Sequence, residues 1–213
     1  MKIHFKTTSE DHKVALLAAL AISIHILESA FPSPLPGVKP GLANVITLFC
    51  FIQYGWRTAL QVSLLRVVIS SLLLGTFLSP TFLLSLSGAL LSLASLIFVQ
   101  QIFRIGEPLS SYLLSLLTHK PTGHRNNYEP GAIGYAIIAA MSHMMGQFIV
   151  AWYFFIPHPG IFKLLPIFIT FAVILGIVSG IITQLTIKQL SSSPLSSDSL
   201  STNNGYSSDN ARK

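Results

Sequence analysis

The sequence predicts an all-α integral membrane protein: six transmembrane helices in one bundle, with both termini cytoplasmic. Three observations predict it. Hydrophobic residues make up 51% of the chain and charged residues only 9%, against roughly a quarter charged in soluble domains. The apolar residues are gathered into long runs, several near the ~20 residues a helix needs to cross hydrocarbon. The basic residues are also unevenly placed. With the N-terminus inside, ten of the thirteen Lys and Arg fall in inner segments, Lys39 and Lys163 in outer loops, and Arg66 within the third run. Cytoplasmic loops carry that excess.

Residues 1–13 are polar and mixed in charge, and read as a cytoplasmic N-terminal segment. The membrane domain spans 14–190. Its first run, 14–30, has a basic flank and Ser29-Ala30, features shared with a signal peptide. His25 and Glu28 near its end and the charge pattern of the whole chain favour a retained first helix. The second run, Gly41 to Tyr54, is 14 residues, about 21 Å as a helix and too short to cross unaided. Gly55-Trp56-Arg57 then turns the chain into 58–78, and Ser79-Pro80 opens a fourth run to about Phe103. A polar connection is expected from Arg104 to Pro130. Two further runs cover 131–156 and 161–189, and the Ser-rich tail 191–213 lacks the apolar residues to fold.

Before the short second run stands ESAFPSPLPGVKPGLAN, residues 28–44, with four prolines. Proline fixes φ and removes a donor, so this approach is stiff. Non-helical backbone at membrane depth is tolerated where it is buried or lines a cavity, and short, Pro/Gly-interrupted spans point to binding sites in transporters. The stretch reads as a re-entrant, cavity-lining segment or as a rigid cap that only packs.

Polar residues inside the runs are the candidates for a site. Arg66 lies near mid-depth, where an arginine costs at least about 2.5–3.5 kcal/mol, so it needs an acid or a ligand. Glu28 is the acid within reach, either in a plain ion pair or sharing a ligand. His25 and Glu28 are three apart on the first helix, and His143 and Gln147 four apart on the fifth, so each pair shares a face. Counted from the inner ends, these residues lie level with Asn44. A substrate-binding set of Glu28, Lys39, Asn44, Arg66, His143 and Gln147 is therefore expected to converge, with a modest positive bias that suits a polar or anionic small molecule. Ala15 and Ala19 supply a small-residue face for internal packing or for a partner.

Several functions are excluded. The basic residues are scattered and lack aromatic interleaving, so nucleic acid is not expected. There is no phosphate-binding lysine loop and no metal-ligand motif. The only aspartates are Asp11, Asp198 and Asp209, all outside the runs, so no aspartate pair can hold a metal-bound diphosphate. No catalytic residue, cofactor or metal is expected. Cys50 is the single cysteine and forms no internal disulfide.

Three blocks resemble a known family: PGVKPGLANVITLF (36–49), LLRVVISSLLLGTFLSPTFLLSLSGALLSLASL (64–96) and SHMMGQFIVAW (142–152). The middle block has the family's order of Arg, then Gly-Thr-Phe, then Ser-x-Ser-Gly-Ala. The third is similar to His-Asn-x-Gly-Gln. The family is the Gx transporters, often labelled heptaprenyl diphosphate synthase component I, and the resemblance covers about 14–190. Lys39, Asn44, Arg66, His143, Gly146 and Gln147 match its pattern, whereas Pro40 and Met144 depart from it. The resemblance implies a fold similar to the substrate-binding S components of energy-coupling factor transporters, in a bacterial cytoplasmic membrane. It implies as partners either an energising transport module, with Ala15 and Ala19 as a coupling face, or a soluble prenyl transferase to which this chain is a noncatalytic subunit.

Overall fold

The computed structural model describes residues 9–30, 42–118 and 131–192. Lys39, the four prolines before the second run, residues 1–8, and 193–213 of the tail lie outside the described residues. Within them the protein is all-helical, with six α-helices: α1 (Ser9–Ala30), α2 (Leu42–Tyr54), α3 (Trp56–Leu73), α4 (Pro80–Thr118), α5 (Ala132–Val150) and α6 (Leu165–Ser192). α5 runs on into a π-helical turn, Ala151–Phe155, and a 3₁₀ turn, Pro159–Lys163, precedes α6.

Four of these helices, α1, α4, α5 with its π turn, and α6, are long and apolar enough to cross a membrane. Their outer surface is itself apolar: Leu16, Leu27, Phe98 and Leu185 are all more than half exposed. Large contiguous apolar surface of this kind is rare on soluble monomers. The chain is a membrane protein.

Two boundaries differ from the sequence reading. α1 begins at Ser9, ahead of the apolar run, because residues 9–13 contain nothing that interrupts a helix. α4 does not stop near Phe103 but continues to Thr118, through the expected polar connection. Five of residues 109–117 are leucines, which sustain a helix whether or not its surroundings are apolar. Pro108 lies within this helix.

α2 has 13 residues and sits in the middle of the bundle. It packs against α1, α3, α5 and α6, and Leu48, Phe49, Cys50 and Phe51 are buried in the main core with Val62, Leu96 and Tyr135. Packing against four neighbouring helices supports so short a helix, while Ile52 and Tyr54 at its C-terminal end are exposed. Gly55 takes φ +86°, a left-handed conformation that glycine adopts without a Cβ clash, and so joins α2 to α3 with no intervening loop. At the other end of α3, Ser79 accepts a hydrogen bond from the Phe82 backbone N–H just ahead of Pro80. A serine cap followed by proline at the first helical position is a strong helix start.

The closest packing lies on the α4–α5–α6 side. Gly176 of α6 faces Ala136, Ile137 and Ala140 of α5, while Gly180 faces Ala132, Ile133 and Ala136. The falling numbers show that the two helices run antiparallel. This Gly-xxx-Gly spacing lets helix backbones approach closely. Between α4 and α5, Gly146 lies against the Ser87 carbonyl, and the Ser87 hydroxyl donates to the Gly146 carbonyl at 3.2 Å. On α1, Ala18 and Ala21 are buried, whereas Ala15 and Ala19 face outward beside Leu16 and Leu20.

Candidate functional site

A cavity of about 510 Å³ opens among the helices, within the roughly 300–1,000 Å³ of small-molecule sites. Five of the six residues expected to form a site line it: Glu28 from α1, Asn44 from α2, Arg66 from α3, and His143 with Gln147 from α5. Lys39, the sixth, is outside the described residues. His25 also lines the cavity, one helical turn from Glu28, as their spacing requires.

The polar groups form a connected set. Arg66 is only 5% exposed and Glu28 only 6%, so both charges sit away from bulk solvent. Arg66 Nη1 donates to Asn44 Oδ1 at 2.7 Å, and the Glu28 carboxylate acts on the guanidinium electrostatically. The sequence reading offered Arg66 either Glu28 or a ligand as partner. The structure adds Asn44 as its direct hydrogen-bond acceptor. The Gln147 amide Nε2 lies 3.2 Å from His143 Nε2, and the same ring nitrogen rests against Gly88 of α4. Arg66 Nε and His143 Nδ1 find no hydrogen-bond partner among the described residues.

The backbone holds His143 in place. A Cβ on Gly88 would lie 2.8 Å from His143 Cε1 and Nε2, so the imidazole rests directly on the bare face of α4. Gly88→Ala is expected to turn this ring and break its contact with Gln147, at a modest cost in thermal stability. The measurement is the His143 ring ¹⁵N shift in histidine-labelled protein. An unchanged signal would show that the ring is placed by something else.

Two polar residues were missed as site candidates. Thr81 and Ser85 of α4 line the cavity. Their four-residue spacing after the Ser79-Pro80 helix start was the available signal. The opposite wall is apolar. Ala151 in the π turn and Ile156 and Ile161 in the connection to α6 line it, followed by Leu164, Ile167 and Phe168. Phe148 also lines it, its ring 6.4 Å from that of Phe168. π turns inside α-helices occur often at functional sites. A second space of about 60 Å³ adjoins Asn44, His143 and Met144 and is otherwise walled mainly by alanines of α5 and by α6. Among the described residues, no group of three or more His, Cys, Asp or Glu side chains is arranged to hold a metal ion.

Fold and cavity together define a helical membrane protein with a partly polar chamber inside its bundle. One protein-family model, described as heptaprenyl diphosphate synthase component I, matches residues 17–120 and 105–186, and the chain belongs to that family. No curated protein and no solved structure matches it.

Proposed function

We propose that this chain is a capture component for a small molecule, similar to the substrate-binding component of an energy-coupling factor transporter. The observation that carries this reading is the 510 Å³ cavity lined by Glu28, Asn44, Arg66, His143 and Gln147. Ionisable residues at membrane depth are costly and mark ligand or ion pathways. Here a buried arginine and a buried acid border a space large enough for an organic ligand. Asn44 and Arg66 bind and orient it, and the His143–Gln147 pair reads a second polar group. The outward-facing Ala15 and Ala19 on α1 serve as the coupling surface for an energising partner.

The test is purification in mild detergent, followed by native mass spectrometry for co-purifying small molecules. Wild type is expected to carry a bound compound, and Asn44→Ala to lose it, with an affinity at least tenfold lower in a protein that stays folded at a somewhat lower Tm, because Arg66 loses its acceptor. An empty wild-type protein, or a loss explained by unfolding, would sink this reading.

A second reading has the family's name in its favour: a noncatalytic membrane subunit of a polyprenyl diphosphate synthase. Pull-down from detergent extracts separates the two. Recovery of a soluble prenyl transferase that needs this chain for activity favours the subunit, whereas recovery of an ATPase module favours transport.

In either role the proposed topology is six crossings in a bacterial cytoplasmic membrane, with both termini inside. Cys50 is fully buried, so cysteines introduced at Ser33 and Thr122 can be read against a silent background. An impermeant maleimide is expected to label position 33 from outside the cell and position 122 only after permeabilisation. Labelling of both from one side would overturn the topology.

A further inference from the structure

We infer that the turn between α3 and α4 is a lipid anchor. Its backbone lies at the membrane interface, and the apolar side chains of residues 72–78 enter the acyl layer of the leaflet at that end of the bundle, the outer one in the proposed topology. This stands independently of the capture reading.

Composition and length carry the first part of the argument. From Val67 to Phe103 the chain holds no Lys, Arg, His, Asp or Glu, and the turn lies inside that stretch. Leu72, Leu73, Leu74, Phe77 and Leu78 are all exposed, and exposed apolar residues continue along the span of α4 with Leu83, Leu90 and Phe98. The connection before α6 differs, since its exposed residues include His158 and Lys163. Trp56 and Arg57 start α3, with the guanidinium 5.4 Å from the indole centroid, a pair suited to a membrane interface. From Arg57 to Leu73 the helix rises about 24 Å, short of the ~30 Å of hydrocarbon. Any tilt shortens that reach further.

Backbone geometry carries the second part. Leu78 takes φ +61°, a left-handed conformation in which a bulky residue is an outlier and which glycine adopts freely. Gly75 does so three residues earlier, at φ +68°. Leu78 is 70% exposed, so packing within the protein does little to offset its strain. Surface left in water would offset nothing, whereas acyl chains remove the same surface from water. The polar groups of the turn bond to one another. The N–H groups of Leu74, Gly75, Thr76 and Ser79 donate to the carbonyls of Ser70, Leu72, Ser71 and Thr76, and the Ser79 hydroxyl donates to the Thr76 carbonyl. Backbone beside lipid has to be satisfied internally in this way. The anchor also sets the depth at which α4 begins. Thr81 of the chamber wall follows directly, its hydroxyl 2.7 Å from that of Ser79.

The test places a single tryptophan in the full chain, purified alone and held in lipid nanodiscs. Trp56 and Trp152, the only two tryptophans, are first changed to phenylalanine. Leu78→Trp reports on the tip of the turn. Leu73→Trp reports beside it without touching the left-handed position, so the test survives if the first variant fails to fold. Phe98→Trp, on the exposed surface of the α4 span, is the reference for a side chain in lipid. Fluorescence of both reporters is expected to fall by about half or more in lipid brominated along its acyl chains, as for the reference, because the bromines occupy the hydrocarbon layer. Iodide in the buffer should quench them little. Strong quenching by iodide would place the turn in water and overturn the inference. Weak quenching by both agents would show that the chain itself covers the turn, which overturns it equally.

Discussion

Glu28→Gln is expected to lower Tm in detergent by roughly 5–10 °C, through loss of about 3 kcal/mol. Arg66 is almost wholly buried, and its one hydrogen bond among the described residues goes to a neutral amide oxygen. Glu28 is the acid whose charge acts on it. Removing that charge leaves a cation out of water, with a neutral amide as its hydrogen-bond partner among the described residues. The change from acid to amide keeps the shape of the side chain, so lost packing does not explain a fall. Glu28→Gln combined with Arg66→Met should recover most of the stability, because the double variant buries no charge there. Differential scanning fluorimetry on the four proteins of this cycle decides the matter. Additive losses would mean that the two residues act independently.

Gly180→Ala is expected to cost about 2 kcal/mol, although alanine favours a helix over glycine by about 1 kcal/mol. A Cβ at this position would lie 2.6 Å from Ile133 Cα. A flexible side chain can swing away from such a contact, but the obstacle here is backbone, so α5 and α6 must separate. Separation loosens the whole Gly176–Gly180 seam against the alanines of α5. A fall in Tm against the gain in helix propensity would therefore identify packing as the cause, and Gly180→Leu should be worse. A stable Gly180→Ala protein would show that the seam yields enough to admit a methyl group.

Much of the fold was legible because a membrane protein writes its helices as apolar runs. Its polar residues stand out against that background, and counting rises along each run gives their depth. Depth brought Glu28, Asn44, Arg66, His143 and Gln147 to one level, and they line one cavity. Direction around each helix was not legible in the same way. That is why Asn44 reads as a ligand group and not as the acceptor of Arg66. The Gly176–Gly180 seam is not legible from depth, because the small polar residues beside it, Ser179 and Thr183, are buried and bonded within α6, the Thr183 hydroxyl donating to the Ser179 carbonyl. The end of α4 was misjudged for the opposite reason. Polarity resumes at Arg104, but hydropathy reports the solvent a residue prefers, whereas helix continuation depends on backbone hydrogen bonding.

α4 has 39 residues in a single helix, about 58 Å long at 1.5 Å per residue. The candidate span accounts for Pro80–Arg104 of it, and hydrocarbon is only about 30 Å thick. The rest continues the same helix past the candidate span with no break in it. One end carries Thr81 and Ser85 at the chamber wall, and Gly88 is braced against His143. A tilt there is transmitted along the rod and grows with distance from the pivot. Pro108 has no N–H to bond back into the helix, so the rod lacks one backbone hydrogen bond past the candidate span.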